Sequence, residues 1–199
     1  MASPVIRAAR SAAAAALLAG ALACASREPP SADQPAPAPP DLSGRPVMLL
    51  PVQPGRLGVP AGLDDELAYW MSARAPSVRW VMPDAIDAAI ARSPTLGIRP
   101  RALAVSVFQR AEVHNIGDPL FGDLRRLGAL VEARYAILPV AAGYVSRPEG
   151  GRVEIAAAII DTLGGRVLWY GIVAGEPGDA GSPAVVASAA QTLARTLFP

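Results

Sequence analysis

Apolar positions over residues 46–199 repeat in a way that switches between strand and helix periods. Val47 to Val52 is a short apolar run closed by Pro54-Gly55. Its length and flanking prolines favour a strand, since periodicity alone does not separate a buried strand from a buried helix. Leu67, Trp70 and Met71 then recur at helical spacing, behind Asp64 as N-cap and Leu63 at the staple position, and Pro76 ends the run. Val78 to Met82 reads as a second strand. Pro83-Asp84 opens a second helix with Ile86, Ala89 and Ile90 on one side, closed by Pro94 and Gly97.

Residues 98–117 carry no clean period. Leu103, Val105 and Val107 alternate, Phe108 breaks the alternation, and the segment is expected to be a connector packed on the surface. Asp118-Pro119 then marks a helix start, with Asp as cap and Pro at the first helical position. Leu120, Leu124, Leu127 and Val131 form its stripe, widened by Phe121 and Leu130. Three strands follow at 135–145, 152–160 and 166–174, the last two joined through Gly164-Gly165 as a hairpin. Pro139 has no N–H to give a ladder, so the first of the three is expected to be an edge strand or irregular there. Ser182-Pro183 caps a last helix with Val186, Ala190, Leu193 and Leu197 on its buried side. The expected architecture is α+β: a mixed sheet of about five strands, antiparallel in its C-terminal part, with about four helices covering its apolar faces.

The pattern before residue 46 is of another kind. Arg7 and Arg10 precede an uncharged stretch of Ala, Leu, Gly and Ser from Ser11 to Ala23. Basic, then apolar, then small residues is the layout of a secretory signal peptide, and the stretch is shorter than the roughly 20 residues a membrane span needs. Cys24, the one cysteine, ends the segment in Ala21-Leu22-Ala23-Cys24. This resembles the lipobox of bacterial lipoproteins. The resemblance implies diacylglyceryl transfer to the Cys24 sulfur, cleavage before Cys24 and acylation of the new amine. Ala25 in place of Asp implies the outer membrane by the enteric sorting pattern. The alternative is an ordinary A-x-A cleavage site with an incidental thiol. Residues 1–23 are thus expected to be a leader and 24–45 a lipidated cysteine with its tether. The stretch 27–46 is rich in Pro, Ala and Ser and has one large aliphatic residue, Leu42. It favours extended polyproline II at about 3.1 Å per residue, enough to hold a domain some tens of Å from a membrane.

Composition narrows the function. The chain has 199 residues, room for one ordinary domain, and 18 basic residues, all arginine, against 17 acidic ones. That balance gives no electrostatic case for nucleic acid. One histidine and one cysteine exclude a Cys/His metal cluster and an internal disulfide framework. Gly175 to Gly181 precedes a helix but lacks the lysine of a phosphate loop. His114, with Ser106 and Glu112, is the best available start for a hydrolase, but no G-x-S-x-G elbow is present. Asp64, Asp65 and Glu66 lack the alternating ligands of a calcium loop and suit a helix start. No catalytic, cofactor or metal residue is assigned. Arg125 and Arg126, on the helix face opposite the leucine stripe, are candidate contacts for an anion or an acidic partner. Trp169 and Tyr170 are neighbours on a strand, so one ring falls on each face, and Tyr170 is the third candidate contact.

Val131 to Tyr144 (VEARYAILPVAAGY), followed by Asp161-Thr162 and Gly165-Arg166-Val167-Leu168-Trp169, resembles periplasmic lipoprotein domains. Those are of the curli-secretion-subunit and penicillin-binding-protein-activator type, and the N-terminal domain of the Tol translocation protein is similar. The motif is structural, and the chain carries an insertion at 94–117 and no recognisable pore-forming strands. The resemblance implies a non-enzymatic, lipid-anchored accessory module that binds another envelope protein. A periplasmic module for a small apolar ligand or a cell-wall fragment is the alternative.

Overall fold

The computed structural model describes residues 38–55, 58–109, 113–148 and 150–199. Its five strands form one sheet in the order β2-β1-β3-β4-β5: β1 (Pro46–Leu49), β2 (Arg79–Val81), β3 (Tyr135–Val145), β4 (Arg152–Asp161) and β5 (Arg166–Ala174). β1 runs parallel to both β2 and β3, whereas β3, β4 and β5 are antiparallel. The α+β architecture is as the sequence pattern predicts. Four helices complete it: α1 (Leu63–Arg74), α2 (Pro83–Ala91), α3 (Leu120–Leu130) and α4 (Pro183–Leu197).

The helices divide between the two faces. Leu67 and Met71 of α1 and Ala190, Leu193 and Leu197 of α4 pack with Val47, Ile137, Ile155, Ile159 and Trp169 on one face. Ile86 of α2 and Leu120, Leu124 and Leu127 of α3 pack with Met48, Ala136, Leu138 and Ile160 on the other. Successive strand residues point to opposite faces, so strands apolar at every position need cover on both.

Several local expectations change. Asp64 is not the cap of α1: Gly62, at φ 76°, holds that place, and Asp64 sits inside the first turn. From there its Oδ1 accepts the Val52 N–H at 2.8 Å, and its other oxygen pairs with Arg101. α3 begins after Pro119, which occupies the cap position, and Asp118 Oδ1 accepts the Gly122 N–H at 3.0 Å. Pro139 lies in the central strand, not at an edge, and the ladder shifts register between Pro139 and Ala141. The bulge leaves its missing N–H without a partner to fail, while its carbonyl accepts the Gln53 N–H at 3.0 Å. Leu42, in the stretch expected to be tether, is buried in the first cluster, so the packed unit begins before residue 46.

The connector also does more than cover the surface. Ile98, Leu103, Phe108 and Ile116 are all buried in the second cluster. Residues 114–116 lie against the start of β5, with Ile116 N–H on Gly165 O and Val167 N–H on His114 O, both at 2.8 Å. Gln53 holds the connector from below. It is fully buried, its Nε2 donates to Pro51 O at 2.8 Å and Pro100 O at 2.7 Å, and its Oε1 accepts the Leu103 N–H at 2.8 Å. Replacing Gln53 by leucine strands those backbone groups in the core. The expected cost is about 3 kcal/mol, a fall in melting temperature of roughly 6–12 °C in a thermal melt.

Candidate functional site

The sequence-assigned residues fall in different places. Cys24, the leader and most of the tether lie outside the described residues, as does Glu112. Arg125 and Arg126 stand on the exposed face of α3, because Leu124 and Leu127 occupy its buried face. Arg126 Nη2 pairs with Asp123 Oδ1 at 2.6 Å. Arg125 has no ion-pair partner among the described residues, and it lines an open hollow of about 590 Å³ with Asp118, Gly122, Arg126 and Ala129. Tyr170 is not an open contact. It is half-buried and stacks on Phe108 with ring centroids 5.4 Å apart, and its hydroxyl donates to Phe108 O at 3.5 Å. Burial pushes its hydroxyl pKa up. On the opposite face Trp169 is fully buried among the residues of the first cluster.

The hydrolase candidates do not assemble: His114 and Ser106 are exposed, and no hydrogen bond joins them among the described residues. The acidic run at the start of α1 is committed elsewhere. Asp64 binds Val52 and Arg101, and Glu66 Oε2 accepts the Trp70 indole N–H at 3.1 Å. Trp80 donates its indole N–H to Ala75 O at 3.0 Å and meets Phe198 edge-on. Among the described residues no three His, Cys, Asp or Glu side chains are grouped to hold a metal ion, and no helix is long and apolar enough to cross a membrane.

What the fold does gather is charge at one end of the sheet. β1, β2, β3 and β5 all begin at the same end, and each is led by an arginine: Arg45, Arg79, Arg134 and Arg166. The register carries one row across this end, Arg79 to Pro46 and then Tyr135 to Asp161 to Arg166. Tyr135 is flanked by two guanidiniums, Arg45 at 5.6 Å and Arg134 at 5.4 Å from its ring centroid. Arg134 grips Asp161 with both nitrogens, at 2.8 and 3.3 Å. Thr162 closes the turn by donating from its hydroxyl to Arg134 O at 2.8 Å. α3 lies hard against this turn. A Cβ at Gly128 would stand 2.7 Å from Thr162 Oγ1, and one at Gly165, where φ is +67°, would stand 2.9 Å from Phe121. Only glycine fits either position.

No family model matches the chain, and no curated protein matches it. Among solved structures it is similar to the PelC dodecamer from Paraburkholderia phytofirmans, at 16% identity and TM-score 0.39, over 83% of this chain and 96% of that one. A variant of the same PelC gives 15% identity and TM-score 0.42, over 83% and 97%. A likeness of this size carries neither function nor assembly to this chain.

The arginine row escapes a reading along the sequence because its members are far apart in the chain. The one local signal, an arginine at or just before the first residue of an apolar run, recurs at all five strands, and only the direction of β4 puts Arg152 at the other end. Within the row, Asp161 is the titrating member. Its hydrogen bond from Arg134 holds the carboxyl below the usual carboxylate range, against a smaller opposing effect of burial. A carboxyl whose pKa falls on folding adds stability above its unfolded value, near 4, and loses it as pH drops through the folded value. Asp161→Asn is therefore expected to lower the urea midpoint at pH 7. The gap from wild type should close as the pH is taken below about 4, and a gap independent of pH would contradict this.

Proposed function

We propose that the chain is a lipid-anchored, non-enzymatic accessory module of the bacterial cell envelope, held on the periplasmic side of the outer membrane through Cys24. Its role is to bind another envelope protein. The observation that carries this reading is the order of the N-terminal segments: Arg7 and Arg10, the uncharged stretch to Ala23, the single thiol at Cys24, and a Pro/Ala-rich tether leading into a packed domain. Several acyl chains on one residue give stable membrane attachment, where a single chain does not. Removing Arg7 and Arg10 with the leader takes the formal net charge from +1 to −1, so attachment does not rest on overall charge.

The domain's polar side chains support an accessory role over a catalytic one. Asp64, Glu66 and Asp161 are each spent on a structural contact. Arg125 and the hollow beside it supply a cation with no ion-pair partner among the described residues, suited to a carboxylate on another protein.

Intact mass and membrane fractionation of the native protein beside Cys24→Ala test the anchor. The expected wild-type species starts at residue 24, carries the mass of its acyl chains and sediments with membranes. Cys24→Ala is expected in the soluble fraction. An unmodified, soluble wild type would overturn the reading.

A further inference from the structure

The arginine-led end of the sheet is also the end where the chain enters the domain. Asp41, Leu42 and Ser43 lie in a groove with Arg74, Ser77 and Phe198, and the Gly44 N–H bonds to Ser77 O at 2.9 Å. Arg79 then donates through Nε to Gly44 O at 3.2 Å, so the entering chain runs directly past the row. We propose that this end is a docking surface for the phosphate head groups of the anionic membrane to which the chain is tethered. The inference rests on the anchored reading for its location and on charge complementarity for its chemistry.

Three observations carry it. First, the cations here are largely unspent: Arg134 is paired with Asp161, but Arg45, Arg79 and Arg166 are exposed and have no ion-pair partner among the described residues. Asp41, Asp118 and Glu132 are exposed carboxylates near this end; Asp41 accepts the Ser43 N–H at 2.9 Å and Asp118 the Gly122 N–H at 3.0 Å. Guanidiniums fit phosphate oxygens in pairs, and three along one rim match a plane of head groups better than a single concave site. Second, Leu163 projects from the β4–β5 turn at the same end, 62% exposed. An apolar side chain beside arginines suits the boundary between head groups and acyl chains. Third, the two ends differ in how their charges are used. Asp64, Asp65, Glu66 and Asp84 stand in the first turns of α1 and α2, which follow β1 and β2 and so begin at the opposite end. Arginines there are paired internally, Arg101 with Asp64, and Arg147 and Arg152 with Glu154.

The tether makes weak attraction sufficient. Thirteen residues lie between Cys24 and Ala38, and a polyproline II chain of that length reaches roughly 40 Å. At that range the effective surface concentration is high, on the order of millimolar for short linkers. Each arginine near an anionic bilayer contributes about a fivefold gain in partitioning.

The test uses the full chain as Cys24→Ala, so that no acyl chain contributes, with vesicles of equal phosphatidylglycerol and phosphatidylcholine beside vesicles of phosphatidylcholine alone. Sedimentation at low salt is expected to show binding to the mixed vesicles only. Arg166→Glu, a site with no side-chain partner, is expected to lower partitioning at least about fivefold. Arg99→Glu makes the same charge change at the other end of the sheet and is expected to leave binding unchanged. Equal loss in both variants would reduce the effect to net charge and overturn the docking surface. So would absence of binding to the mixed vesicles, or full release by millimolar inorganic phosphate, which would indicate a site for free phosphate. Because the chain is unlipidated, these results stand apart from those of the Cys24 experiment. Failure here leaves the anchor intact, and an unmodified Cys24 leaves the docking surface measurable.

Discussion

The stretches Ala136–Val140 of β3 and Ala157–Ile160 of β4 have no polar face, and the rest of the structure follows from that. Ile137 and Leu138 are neighbours in β3 and are both fully buried, on opposite sides, and Ile159 and Ile160 repeat the arrangement in β4. Each such side chain gains about 1.5–3 kcal/mol by leaving water, whereas a surface ion pair is worth about 0–1 kcal/mol. Cover on both sides of the sheet therefore outweighs any surface arrangement. The four helices supply it in pairs, α1 with α4 and α2 with α3.

Close cover imposes conditions of its own. α3 reaches the second face only where it can approach the β4–β5 turn, and Gly128 and Gly165 are the positions at which a side chain would stop it. The same turn has a polar interior, satisfied by Arg134, Asp161 and Thr162. Gln53 does the equivalent work at the other end of β1, meeting two carbonyls and one N–H that the connector would otherwise leave bare. Buried polar groups cost free energy unless bonded, so these few residues determine which loop conformations the apolar layers tolerate.

Local signals made the regular elements readable. The Leu120–Leu124–Leu127 stripe, the Gly164-Gly165 hairpin and the Ser182-Pro183 start each depend on residues within one turn or one ladder. Roles that depend on a distant partner were not readable. An aspartate near a helix start looks the same whether it caps that helix or, like Asp64, holds Val52 and Arg101. Pro139 left edge strand and irregular strand open, and only the pairing partners on both sides of β3 decide between them. Residues 98–117 lack a period because they take their order from the sheet, through Phe108 on Tyr170 and residues 114–116 on β5. The candidate contacts divide in the same way. The exposure of Arg125 follows from helical spacing, but the burial of Tyr170 depends on a connector 62 residues earlier.

Topology also explains why the arginine row and the helix-start carboxylates fall at opposite ends. β1 is the first strand, so the chain from the tether must enter at the end where β1 begins, and three other strands begin there too. α1, α2 and α4 each follow a strand and so start at the far end. Helix N-termini favour carboxylates, which accounts for Asp64, Asp65, Glu66 and Asp84 lying there. No such preference acts on the residues leading into strands, and at that end arginines stand at four of the five chain crossings. Asp161, at the fifth, neutralises only Arg134. The place of the arginine row is thus set by the connection order, and an anchor at Cys24 pulls on the end that carries it.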